Sequence, residues 1–113
     1  MKRITLIAVA AGLLLAHAGC SADKADPQFR IRNERADKAN VQLQTTGGNA
    51  ININDVLSGQ ITSYQSTFEG TIVATAVIQN ESVSPTATFF AAKDTRSTVV
   101  VLAGNPPSLR IDQ

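Results

Sequence analysis

From Phe29 to the end of the chain, apolar side chains recur mostly at every second position, and no stretch sustains helical spacing for three turns. A period of two suits strands with one buried face, because successive side chains leave a strand on opposite sides. Phe29 and Ile31 alternate with Arg30 and Arg32, Val41 and Leu43 with Gln42 and Gln44, and Ile51 and Ile53 with Asn52 and Asn54. Between these runs lie Asn33 to Lys38 and Thr46-Gly47-Gly48-Asn49, both polar and turn-forming. The Gly47-Gly48 pair tolerates positive φ and predicts a hairpin from the second and third runs.

Further along, Asp55 to Gln60 reads as a connection closed by Gly59, followed by a strand over Ile61 to Phe68 and a turn at Glu69-Gly70. Thr71 to Gln79 is the clearest strand, with Ile72, Ala74, Ala76 and Ile78 on one face and Thr71, Val73, Thr75 and Val77 on the other. Its second face is only partly polar, which predicts a central strand covered on both sides in places. Thr86 to Ala92, Ser97 to Ala103 and Ser108 to Asp112 complete the set. Lys93 to Arg96 turns the chain between the first two, and Gly104-Asn105-Pro106-Pro107 stops the second, because proline cannot donate to a ladder. The expectation is all-β: seven or eight short strands in a two-sheet antiparallel sandwich, immunoglobulin-like in geometry only. A small, partly open barrel is the alternative. With no tryptophan and no internal cysteine pair, the signatures of true immunoglobulin domains cannot be assembled.

The first 19 residues read as an export signal: Lys2 and Arg3, then an apolar run from Ile4 to Ala16, then small residues before Cys20. That run is too short and wrongly flanked for a membrane span. The stretch resembles a bacterial lipoprotein signal, which implies that Cys20 becomes the lipidated first residue. His17 departs from the pattern, which usually has an apolar residue there, and Ala16-His17-Ala18 also fits ordinary cleavage after Ala18, which would leave a soluble periplasmic protein. Residues 20–28 read as a tether and 29–113 as a single domain. In some bacteria an aspartate after the cysteine is an inner-membrane retention signal. Ser21 stands there instead, so the resemblance implies the outer membrane, facing the periplasm.

Cleavage removes Lys2 and Arg3 from ten basic residues, against nine acidic ones, for a net charge of about −1. No basic cluster points to nucleic acid. The single histidine and single methionine leave with the signal, and the single cysteine stands at the new N-terminus. That removes histidine-based acid–base catalysis, Ser-His-Asp and Cys-His triads, and the usual zinc sites. The chain reads as non-enzymatic and without a cofactor. Its expected contacts are the lipid bilayer, through Cys20, and an envelope protein partner. A glycan or small-molecule binder and a purely structural envelope protein are the alternatives.

The ordered part resembles a family of small β-sandwich domains of unknown function found in exported bacterial proteins. The corresponding pieces are Phe29 to Asn33, Ala39 to Leu43, Gly59 to Tyr64 and Glu69-Gly70-Thr71. Ser63 and Tyr64 are adjacent here, where the family spaces them. The resemblance spans Phe29 to Leu102 and implies the fold, with no catalytic residues to carry over.

Several residues bear on recognition. Tyr64 is the only tyrosine and supplies rigid amphipathic contact area, and Phe68 shares its parity and is expected to extend the same patch. Phe89 and Phe90 must point to opposite faces, so one fills the core and the other needs cover, expected from within the domain. An exposed aromatic beside Lys93 or Arg96 would mark an interface. Asn49, Asn52, Asn54 and Asp55 carry too few carboxylates for calcium and read as surface and turn residues. Asp55, Glu69, Glu81 and Asp94 read as solvated turn charges rather than a hydrolytic pair. Asn105 to Arg110 reads as a rigid bend leading to an edge strand.

Overall fold

The alternating runs become eight strands: β1 Gln28–Asn33, β2 Ala39–Thr45, β3 Ala50–Val56, β4 Gln65–Ser66, β5 Gly70–Ile78, β6 Thr86–Ala91, β7 Arg96–Val101 and β8 Leu109–Asp112. They come from a computed structural model that describes residues 24–113, so the signal peptide and Cys20 lie outside the described residues. One sheet has the order β4-β1-β7-β8 and the other β3-β2-β5-β6. The core between them is aliphatic, with Phe29, Ile31, Val41, Leu43, Ile72, Ile78, Val99 and Val101 almost wholly buried. This is the expected two-sheet β-sandwich. Among the described residues no helix is long and apolar enough to cross a membrane.

The β2–β3 hairpin closes as the glycine pair predicts. Gly48 takes φ +93° and donates to the Thr45 carbonyl at 3.0 Å. β5 is central, paired to β2 on one side and β6 on the other. Ile72, Ala74, Ala76 and Ile78 face the core as expected. The second face is not covered: Val73 is 38% exposed and Val77 56%. A sandwich has only two layers, and among the described residues nothing packs outside this sheet.

Three further features depart from the expectation. β1 runs parallel to β7, with Gln28 opposite Arg96 and Asn33 opposite Val101. The entering chain is fastened beside the β6–β7 turn and leaves it in the same direction as β7: Ala25 N–H donates to Asp94 Oδ1 at 2.7 Å, Asp94 N–H to the Ala25 carbonyl at 2.9 Å, and Gln28 N–H to the Thr95 carbonyl at 3.0 Å. The last part of the expected tether is thereby pinned to the domain, and Pro27 is buried. Finally, the run from Ile61 to Phe68 pairs only at Gln65–Ser66 and at one bridge, Ile61 to Arg32. Thr62 Oγ1 accepts the Ile31 N–H at 2.9 Å, so a side chain substitutes for the ladder there.

Candidate functional site

The two outer faces of the sandwich differ in charge. On the β4-β1-β7-β8 sheet, Arg30, Arg32, Arg96 and Arg110 occupy outward positions, since Phe29, Ile31, Ser97, Val99 and Val101 point inward. Val100 is also outward, yet fully buried, and its register neighbours are Arg32 and Arg110. Aliphatic stems of flanking arginines can cover such a residue while the charged heads stay in water.

These arginines fall into two groups. Arg32 Nε lies 3.3 Å from Glu34, and Arg110 binds Asp112 through two nitrogens at 2.8 and 3.0 Å. The Arg110 hydrogen bond holds the Asp112 carboxyl below its ordinary range, with the charges of Arg110 and Arg32 adding to the effect. Arg30 and Arg96 have no carboxylate at ion-pair distance among the described residues. Both guanidinium carbons instead lie 4.6 Å from the centroid of the half-buried Tyr64 ring. Such a contact contributes roughly 0.5–1 kcal/mol at an exposed site. Each Nε–H has a neutral acceptor: Arg30 donates to Thr98 Oγ1 at 3.1 Å and Arg96 to Gln28 Oε1 at 3.0 Å. These bonds set the planes of the guanidinium groups, and among the described residues no acceptor claims their terminal nitrogens.

The other sheet presents a different surface. Its outward side chains are Asn52 and Asn54 on β3, Asn40, Gln42 and Gln44 on β2, Thr71, Val73, Thr75 and Val77 on β5, and Thr86, Thr88 and Phe90 on β6. None is charged. Charge meets this face at one end: Asp55, a bulge residue at the end of β3 with φ +57°, pairs with Lys38 at 3.2 Å, and Lys38 lines a hollow with Asn40 and Val77. A shallow open hollow of about 190 Å3 lies over this face, lined by Asn40, Gln42, Asn52, Asn54, Thr75 and Val77.

The residues singled out from the sequence therefore divide. Tyr64 and Arg96 come together, and Arg30, which the sequence reading treated only as the polar member of an alternation, completes their cluster. Only Arg30 stood on a strand in the sequence; Gln28 fell in the expected tether and Arg96 in the expected turn, and the structure makes both outward strand positions. Phe89 is 8% exposed and is the one of the pair that fills the core. Phe90 is 57% exposed; among the described residues the expected internal cover is missing, because β6 is an edge strand and Phe90 points away from the second layer. It also lies on the opposite outer face from Arg96. Phe68 is 49% exposed and lines a separate hollow of about 510 Å3 with Asp26, Ile51, Glu69 and Lys93, so it does not extend the Tyr64 patch. The break in pairing after Ser66 removes the parity on which that expectation rested.

Three of the four acidic turn residues have structural partners. Glu81 binds Arg35, Asp55 binds Lys38 and Asp94 accepts from Ala25. Among the described residues no group of His, Cys, Asp and Glu is arranged to hold a metal ion.

No family model and no curated protein matches the chain. Among solved structures it is similar to a protein from Eubacterium rectale determined by NMR, with TM-score 0.62 and 19% identity, covering 84% of this chain and 96% of that one. At that identity the likeness shows the fold alone.

Proposed function

We propose that the chain is an exported, non-enzymatic module of the bacterial envelope, lipid-anchored at Cys20 in the outer membrane and facing the periplasm, whose domain binds another envelope protein. The signal pattern and the single cysteine support the anchor, and the loss of the only histidine with the signal supports a role without catalysis. The observation that carries the binding role is the uncharged outer face of the β3-β2-β5-β6 sheet. A solvated sheet face ordinarily carries charge for solubility. This one exposes Val73, Val77 and Phe90 among amides and hydroxyls, and neutral polar groups with apolar contacts are what a desolvated interface core uses.

Intact mass of membrane-extracted protein tests the anchor. The expected mass starts at Cys20 with a diacylglyceryl group and an acyl chain. An unlipidated mass starting at Gly19 would replace the anchor with ordinary cleavage. Recovery of a reproducible partner with the anchored chain from native membranes tests binding. A second reading, a neutral glycan or small molecule, is favoured by the hollow over the same face, whose amides and hydroxyls can both donate and accept. A structure with a sugar in that hollow, and no recoverable protein partner, would select it.

A further inference from the structure

Of the five arginines in the described residues, three hold a carboxylate and two do not. The two without one share a single aromatic ring. Both guanidinium carbons lie 4.6 Å from the same ring centroid, so two like charges stand no further apart than twice that distance on one sheet face. The ring offsets part of their repulsion, and an anion bound by their terminal nitrogens would offset the rest. A guanidinium fork matches the oxygens of phosphate in two parallel N–H···O bonds, and both forks here are already oriented through their Nε–H groups.

The position of the cluster indicates the source of the phosphate. Arg96 is the register partner of Gln28, at the entry of the chain into the domain. Ala25 is pinned to the β6–β7 turn beside it. A chain advances at most about 3.3–3.6 Å per residue. The five steps from Cys20 to Ala25 therefore reach no more than roughly 18 Å, and the tethered end of the sheet stays close to whatever holds Cys20.

We infer that Arg30, Tyr64 and Arg96 form a phosphate-binding site for the head groups of the membrane in which the chain is anchored. The source of the phosphate rests on the lipid-anchor reading; the site itself does not. Occupied, it turns the arginine face toward the bilayer and the uncharged face away from it. Basic side chains near an anionic membrane surface act in the same direction.

The chain carries its own reporter. Tyr64 is the only tyrosine and there is no tryptophan, so intrinsic tyrosine emission reports this cluster alone. The protein extracted from membranes is kept in a non-ionic, phosphate-free detergent and titrated with dihexanoyl phosphatidylglycerol, with glycerol phosphate, and with acetate at matched ionic strength. The expected result is a saturable change in Tyr64 emission with both phosphate compounds and none with acetate. Half-saturation at least tenfold lower for the lipid assigns the site to head groups; equal half-saturation keeps the phosphate site and assigns it to a soluble phosphate compound. Arg30→Gln and Arg96→Gln should each raise half-saturation at least fivefold, and Arg96→Lys, which keeps the charge and loses the fork, should fall between. Arg110→Gln should leave the response unchanged, because that arginine is already held by Asp112. A flat titration with both phosphate compounds, an equal response to acetate, or a folded Arg30→Gln/Arg96→Gln double variant that responds normally would each overturn the site. Failure of the anchor is read separately: a lipidated chain with a silent Tyr64 loses the site and keeps the anchor, and an unlipidated chain with a responsive Tyr64 does the reverse.

Discussion

Asn33 and Arg35 hold together the end of the domain away from the tether. Asn33 is fully buried where β1 stops; its Nδ2 donates to the Asp37 carbonyl at 2.8 Å and the Val56 carbonyl at 3.0 Å, and its Oδ1 accepts the Arg35 N–H at 2.9 Å. Asn33→Ala removes three bonds at once and strands at least one buried carbonyl, so it should cost about 3 kcal/mol. The check is the urea midpoint at unchanged m-value. Arg35 donates through Nη1 to the Leu102 and Gly104 carbonyls at 2.9 and 2.8 Å and through Nη2 to Glu81 at 2.9 Å, while its buried Nε has no partner. Arg35→Met should therefore cost roughly 3 kcal/mol or more, since it leaves both carbonyls and Glu81 unpaired. Glu81→Gln should cost only about 1 kcal/mol, because the amide still accepts and the side chain is partly solvated. Equal losses would mean that the ion pair, rather than the carbonyls, holds the guanidinium. Neither residue stood out in the sequence. Both sit in a stretch that reads as a polar turn, and burial of polar turn residues depends on which loops meet in space.

At the scale of the strands, β5 shows how firmly period two dictates a face. Ala74 and Ala76 are fully buried between the sheets, where the close approach of the layers leaves room for little more than a methyl group. Ala76→Leu should overpack the core and cost about 2 kcal/mol, whereas Val77→Thr on the bare face should stay within about 0.5 kcal/mol. Similar losses for the two in denaturant titration would reverse the assignment of faces. The hairpin, the central strand and the apolar run of β7 were all legible, because local alternation and turn chemistry specify them. The parallel pairing of β1 was not, since it depends on Ala25 meeting Asp94, 69 residues further along the chain. Nor was the loss of strand after Ile61, where one threonine hydroxyl replaces a ladder bond. β8 supplies a pH test. The Arg110 hydrogen bond lowers the Asp112 carboxyl pKa, so its stabilisation is present above the ordinary carboxylate value and is lost as pH falls through the lowered one. Amide exchange in β8 should accelerate across that window, and Asp112→Asn should remove the acceleration.

Taken as a whole, the molecule separates its surface into an arginine face and an uncharged face, joined to an entry segment at one end. The polar members of β2, β3, β5 and β6 were visible in the sequence as amides, hydroxyls and valines, but their union into one face required the strand order β3-β2-β5-β6. The Arg30–Tyr64–Arg96 cluster likewise needed β1 and β7 to lie side by side. If the uncharged face carries the partner and the arginine face meets the membrane, charge placed on each should act differently. Thr75→Lys stands in the hollow on the uncharged face, opposite Gln42. A surface change of this kind should alter stability by less than about 0.5 kcal/mol. It should nevertheless abolish recovery of the partner from native membranes, since an unpaired charge in an interface core is costly to desolvate. Arg96→Gln in the same full, anchored chain should leave partner recovery intact while weakening the Tyr64 response to phosphatidylglycerol. Loss of the partner with Arg96→Gln and its retention with Thr75→Lys would move the binding face to the arginine side and leave the uncharged face without a role in recognition.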